Sequence, residues 1–238
     1  MEDLASDVLV IEHESVCPAG VVATVLERSG LDMHLFQPHL GQQLPEDLSG
    51  YEGMVVLGGG MGALDDADHP WLAQVRRLLA LATDRHLPTL GICLGAQLAA
   101  LALEGRMGRR EEPSRGLQGI TLTEAGQADA VLSALGSERP TVFHWHQDQI
   151  TQLPPSSVLL ATGADEGIQA FRAGTALWAV QFHPELTAQI AEGWARDSSL
   201  SHPDLPPQEV RAQVEDAAAA RDSWRALLET FAHQVLTG

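Results

Sequence analysis

Lysine is absent from this chain. All 14 basic residues among the 238 are arginine, so chemistry that needs a lysine amine, whether a Schiff base or a phosphate-loop lysine, is excluded. The basic residues are outnumbered by 32 acidic ones, and the formal net charge of −18 argues against nucleic acid or a membrane surface as a partner. That charge also aids solubility. Cysteine is scarce, with Cys17 and Cys93 alone. A structural disulfide would disable any chemistry at Cys93, so the cytoplasm is the expected compartment. No run reaches the roughly 18 apolar residues of a membrane helix. The acidic start Met1-Glu2-Asp3 enters a strand at once, and no secretory signal is expected. No internal repeat occurs, and the length suits one large α/β domain with a substantial core.

What is present centres on Leu90-Gly91-Ile92-Cys93-Leu94-Gly95. The stretch reads as the end of a buried strand, a tight turn and the start of a helix. Glycines flank Cys93 at a spacing of two on each side, the cysteine form of the G-x-S-x-G nucleophile elbow. Small residues let the chain turn sharply and leave the sulfur exposed at the strand end. The following helix sets its positive N-terminal end beside the sulfur, which favours the thiolate. The alternative is a buried structural cysteine before a core helix.

A second apolar run ends in Ala179-Val180-Gln181-Phe182-His183-Pro184-Glu185. In extended chain His183 and Glu185 point to one side, and Pro184 pins the backbone between them. A cysteine nucleophile needs a base, and the base needs an orienting group. Cys93, His183 and Glu185 supply all three types; a solvated strand end that happens to carry His and Glu is the plainer reading of the pair. A third element, Met54-Val55-Val56-Leu57-Gly58-Gly59-Gly60-Met61-Gly62, runs a strand into a glycine cluster. There backbone amides can approach a reacting oxygen unobstructed and, with the amide of Leu94, form an oxyanion hole. It fits neither GxxxxGK[ST] nor G-x-G-x-x-G, so a phosphate loop is disfavoured.

The spacing of apolar residues predicts strands over Asp7 to Glu12, Gly53 to Leu57 and Leu87 to Ile92, and helices over Ala19 to Ser29, Pro70 to Thr83 and Leu94 to Leu103. Short strands follow at Leu117 to Thr123, Thr141 to His144, Val158 to Thr162, Ile168 to Arg172 and Ala176 to Phe182. This alternation followed by a β-rich stretch predicts an α/β fold. Its open, mostly parallel sheet is flanked by helices, with a small antiparallel extension and C-terminal helices. Gly58, Cys93 and His183 fall at strand C-termini, where such sheets hold their sites. Residues 198–207 read as a polar linker, and Gln208 to Leu236 as one or two helices. The expected division is a domain over 1–197 and a helical extension over 198–238 packed on it. Arg106, Arg109 and Arg110 read as solvated surface, since Glu111 and Glu112 follow. Cys17 reads as an incidental or packed thiol.

Taken together the chain resembles the class I glutamine amidotransferase family, the cysteine-triad glutaminases of flavodoxin-like fold. It is most similar to free-standing members like the glutaminase domain of GMP synthase. The resemblance rests on Leu57-Gly58-Gly59-Gly60-Met61-Gly62, Gly91-Ile92-Cys93-Leu94-Gly95-Ala96-Gln97 and Val180-Gln181-Phe182-His183-Pro184-Glu185. Weaker matches are His69-Pro70-Trp71-Leu72, Phe143-His144-Trp145-His146 and Gln169-Ala170-Phe171-Arg172. It implies that Cys93 attacks the side-chain amide of glutamine or a γ-glutamyl amide. Gly59 and Leu94 amides would stabilise the oxyanion, His183 would protonate the departing nitrogen, and Glu185 would orient His183. Substrate contacts are expected from Gly58, Gly60, Gln97, His146 and Gln147. No metal or cofactor is implied.

Two segments depart from the family pattern. Gln147 stands where relatives carry a glycine, and Ser114-Arg115-Gly116-Leu117 stands where they often carry Glu-Ile-Gly-Trp. Both bear on which γ-glutamyl compound is the substrate. His144 and His146 also suit plain packing, and with no Cys or third His nearby they are not expected to bind metal. Three functions stay open. The first is hydrolysis of glutamine or a related γ-glutamyl amide through a thioester. The second is delivery of ammonia to a separate synthetase partner in trans, and the third a catalytically silent binding module.

Overall fold

Strand β1 (Ser6–Ile11) is apolar on both faces because both faces are covered. Val8 and Val10 join one core with helices α1 (Val21–Arg28) and α7 (Ala218–Thr237). Leu9 and Ile11 join the other core with α2 (Trp71–Asp84) and α3 (Leu94–Ala102). One strand thus specifies three layers. The computed structural model describes residues 6–197 and 205–238. Most of the linker expected over 198–207, and the start at Met1-Glu2-Asp3, lie outside the described residues.

The remaining strands are β2 (Leu31–Phe36), β3 (Gly53–Val56), β4 (Thr89–Ile92), β5 (Arg106–Gly119), β6 (Thr121–Leu122), β7 (Thr141–Gln152), β8 (Val158–Thr162), β9 (Ile168–Ala173) and β10 (Leu177–Val180). The main sheet has the order β2-β1-β3-β4-β10-β9-β8-β6. Strands β2, β1, β3, β4 and β10 run parallel, whereas β9, β8 and β6 are antiparallel additions. The expected fold class is therefore the observed one. Strands β3, β4 and β10 are adjacent, so Gly58, Cys93 and His183 emerge side by side from neighbouring C-terminal ends.

Several elements differ from the sequence reading. Strand β2 carries no clear alternation and forms as an edge strand held by pairing with β1. Strands β5 and β7 make a separate antiparallel ribbon, far longer than the short strands expected over these residues. Most of the β5 side chains are charged or polar, so ladder pairing rather than burial keeps it extended. Helix α4 (Glu124–Gln127) is a single short turn, and helix α5 (Ala188–Arg196) is capped by Thr187, whose hydroxyl accepts from the Ile190 amide at 3.2 Å.

The C-terminal stretch forms α6 (Pro207–Asp216) and α7. Trp224, Leu227, Leu228 and Phe231 of α7 share a core with β1, β3 and β4. Trp224 also donates its indole N–H to the Thr141 carbonyl at 2.9 Å. Phe231 is 2 % exposed and meets Trp178 edge-on at 6.4 Å between ring centroids. Phe231→Ala is expected to destabilise the chain by about 3–5 kcal/mol, read from the urea midpoint as a single shifted transition. A loss below about 1 kcal/mol would show that α7 is dispensable to the core.

Candidate active site

Cys93 sits between β4 and α3 with φ 50 and ψ −103, a left-handed conformation that costs a non-glycine residue about 1–3 kcal/mol. Close packing imposes it. A Cβ on Gly95 would stand 2.1 Å from the Val56 carbonyl oxygen, and one on Gly91 would stand 2.8 Å from the Gly95 carbonyl. The first turn of α3 is pressed onto the backbone of β3, and only glycines permit it. The Cys93 amide donates to the Val180 carbonyl at 2.8 Å, tying the turn to β10 as well.

The continuation of β10 brings His183 to the same place. Its amide donates to the Phe143 carbonyl at 3.0 Å. A Cβ on Gly58 would lie 3.3 Å from His183 Cε1 and 3.7 Å from Cys93 Cβ, so the two side chains flank one glycine. His183 Nδ1 and Glu185 Oε1 are 2.7 Å apart, with both side chains 3 % exposed. The Nδ1–H therefore faces the carboxylate and Nε2 faces away from it. That Nε2 is buried without a conventional hydrogen-bond partner, and Cys93 acts on the ring electrostatically. Burial alone would lower the His183 pKa. Glu185 and Cys93 outweigh it and raise the value to about 10. Trp194 closes the site, meeting His183 edge-on with the ring centroids 4.6 Å apart.

Cys93 and His183 line a cleft of about 790 Å³, open mouth included. Gly59, Gly60, Gln97, His146 and Gln147 line it too. Gly58 and Leu94 stand behind this lining. The amides of Gly59 and Leu94 meet no acceptor among the described residues. The Gly60 amide, by contrast, already donates to the Glu14 carboxylate. Gln97 is buried and donates to the Asp148 carbonyl at 3.2 Å. The weaker His69–Trp71 match lies behind the glycine loop: Trp71 donates to His13 Nδ1 at 3.1 Å, and His13 Cβ abuts Gly59.

His146 Nδ1 faces the Asp148 carbonyl at 2.9 Å, and its Nε2 lies 3.3 Å from His144 Nδ1. Burial, and then the neighbouring His146, lowers His144 to about 3; burial lowers His146 to about 4. Both rings are neutral at pH 7, which leaves His183 as the charged imidazole of the site.

Sequence reasoning missed several cleft residues. Arg109 was expected on the solvated surface and is well exposed, yet it lines the mouth, bonded to Asp148 at 3.1 Å and Gln147 at 2.7 Å. Arg110 is half-buried against Asp165 at 2.7 Å, whereas Arg106 is exposed. Cys17 is buried and also lines the cleft. Burial, reinforced by Glu14, holds its thiol well above the ordinary range, which makes it a poor nucleophile. Arg115, Trp145 and Trp194 complete the wall. Of these, the sequence offered Trp145 within the weaker Phe143–His146 match and Arg115 within the departing Ser114–Leu117 segment, and gave no signal for Trp194.

A family model described as glutamine amidotransferase class-I matches residues 21–193. The chain belongs to this family. Gamma-glutamyl peptidase 5 of Arabidopsis thaliana is 30% identical over 197 residues, 78% of this chain and 75% of that relative. A GMP synthase (glutamine-hydrolyzing) of Porphyromonas gingivalis is 37% identical over 147 residues, 60% of this chain but 27% of that enzyme. A glutamine amidotransferase from Thermotoga maritima has the same fold, with a TM-score of 0.85, 24% identity and coverage of 98% of this chain and 99% of that one. No helix among the described residues is long and apolar enough to cross a membrane.

Three outcomes follow from this geometry. The raised His183 pKa means that its ion pairing stabilises the fold fully below about pH 6.5 and is lost as pH rises through about 10. Glu185→Gln removes a raising influence, so the His183 ring should titrate at lower pH, visible by NMR of the labelled imidazole. An unmoved titration would sever Glu185 from His183. Gln147→Gly removes a side chain from the cleft lining and should raise kcat/KM for free glutamine several-fold; no change would remove the argument that Gln147 narrows the cleft.

Proposed function

We propose that the chain is a cysteine-dependent hydrolase of γ-glutamyl amides, self-sufficient for the reaction. The observation that carries this reading is the strained Cys93 turn held beside the buried His183–Glu185 pair. The buried pair keeps His183 protonated at neutral pH, and a protonated imidazole stabilises a neighbouring thiolate.

The reaction then proceeds in two halves. The Cys93 thiolate attacks the γ-carbonyl carbon, and the developing oxyanion takes the free N–H groups of Gly59 and Leu94. His183 Nε2 gives its proton to the leaving nitrogen, the C–N bond breaks, and ammonia or an amine departs. This leaves a γ-glutamyl thioester on Cys93. Water attacks that carbonyl while neutral His183 takes its proton, the C–S bond breaks, and glutamate leaves. Glu185 keeps the imidazole oriented through both halves. Gln97, His146 and Gln147 face the bound glutamyl group. Gly58 admits the His183 and Cys93 side chains. The Gly60 amide is engaged by Glu14 and serves to hold the loop.

The γ-glutamyl peptidase relative, matched over most of both chains, favours a free-standing hydrolase. The GMP synthase relative, matched over a smaller part of its length, favours ammonia delivery to a partner. Glutamate release from L-glutamine and from γ-glutamyl dipeptides by the purified chain separates the two. Cys93→Ser is expected to lower kcat by about 10³-fold or more without changing the urea midpoint by more than a small amount. Wild-type turnover in that variant would sink the mechanism. Labelling of Cys93 by a γ-glutamyl electrophile, with no turnover of any substrate, would favour the partner-dependent reading.

A further inference from the structure

Arg115 is a cleft residue that the reaction above does not use. Its cross-strand partner in the β5–β7 ribbon is Trp145, and its guanidinium carbon lies 5.5 Å from the Trp145 ring centroid. The other arginine of the cleft, Arg109, is neutralised by Asp148. Arg115 has no carboxylate or other acceptor among the described residues. It is only partly exposed, and burial lowers its pKa from the ordinary arginine value. The Trp145 indole N–H beside it is also buried without an acceptor. Two neighbouring donor groups, one of them cationic, are thus left unsatisfied in a cleft wall. Partly desolvated donors in this state cost free energy until an anion fills the place.

The position of this gap indicates what fills it. His183 delivers its proton to the leaving nitrogen, so the leaving group lies on the His183 side of the scissile bond. From His183 the wall runs through Trp194, at 4.6 Å, to Trp145, 6.4 Å further between centroids, with the Arg115 guanidinium carbon over the Trp145 ring at 5.5 Å. A guanidinium over an aromatic face spends no N–H donor on that contact, and its planar fork of donors matches a carboxylate.

Building on the hydrolase reading, we propose that Arg115 is a specificity-determining residue that binds a carboxylate on the leaving group. The preferred substrate class is then γ-glutamyl amino acids and peptides rather than glutamine, whose leaving group is bare ammonia. A substrate carboxylate could also be the α-carboxylate of the glutamyl half, and the test separates these two sources.

The test compares kcat/KM for γ-glutamylglycine, γ-glutamylglycinamide and L-glutamine in the wild type, Arg115→Gln and Arg115→Lys. The first two substrates differ in the leaving-group carboxylate alone. The wild type is expected to prefer γ-glutamylglycine over its amide by about tenfold or more, the scale of one charge-assisted hydrogen bond. In Arg115→Gln the ratio should collapse toward one, chiefly through KM, and Arg115→Lys should restore part of it. An equal loss on all three substrates would overturn the proposal in favour of the glutamyl α-carboxylate. An unchanged ratio in Arg115→Gln would overturn it outright. If the wild type turns over none of the three, the hydrolase reading itself fails, which is a different result from either.

Discussion

The contact on which the site depends is the one between Gly95 and the Val56 carbonyl. It presses the start of α3 onto the backbone of β3, and Cys93 has no room for any other conformation. A side chain at Gly95 would push the helix away, relax the Cys93 φ toward ordinary values and swing the sulfur off the strand end. The strain at Cys93 is tolerated because everything around it is over-determined: parallel pairing of β4 with β3 and β10, a buried apolar helix behind, and a hydrogen bond from its own amide to β10. The reacting geometry is thus a property of the three-strand core rather than of a loop.

Charge is arranged with equal economy. In a chain of net charge −18, the carboxylate bonded to His183 is Glu185, held on the Nδ1 side of the ring. Glu185 is withdrawn behind His183, so its charge reaches the sulfur through an imidazolium that reverses the sign. His144 and His146 are held neutral by burial and pass hydrogen bonds rather than charge. The Cys17 thiol shares the cleft, yet its surroundings act in the opposite direction: a carboxylate is its neighbour, not an imidazolium. Two cysteines in one cleft therefore have different chemistry through their partners alone.

The parallel core and the residues at its strand ends were legible in the sequence, because each carries a strong local signal. Gly91 and Gly95 around Cys93 reflect a steric need that no other residue meets, while Pro184 between His183 and Glu185 and the glycine run after β3 mark where the strands end. The two-faced apolar strands predicted burial on both sides. The β5–β7 ribbon was legible only in part, as the short strands expected over Leu117 to Thr123 and Thr141 to His144. Its full length comes from cross-strand pairing that reaches from Gly119↔Thr141 to Arg106↔Gln152, and the charged side chains of β5 follow no period. The place of Arg109 at the cleft and the partner of Arg115 were hidden for that reason: their neighbours in space, Asp148 and Trp145, are remote in sequence. The same holds for Cys17 and Trp194, which the fold brings to the cleft from opposite ends of the family domain.

This division has a physical consequence for how the chain can vary. The residues proposed to make and break bonds lie on elements whose backbone is locked by close packing, where a Cβ on Gly91 or Gly95 would clash with backbone. The two residues proposed to bear on substrate choice, Gln147 and Arg115, lie on a ribbon outside the main sheet. It is fastened by its own ladder and backed by α6, whose Gln213 side chain lies 3.2 Å from where a Cβ on Gly116 would stand. A register shift between Arg109 and Ser114 interrupts that ladder next to the cleft, and bulges of this kind re-aim side chains without disturbing the core. Substrate choice can therefore change by altering the ribbon while the Cys93 turn stays fixed. The two departures from the family pattern, Gln147 and Arg115, both fall on the ribbon, where the packing constraint is weakest.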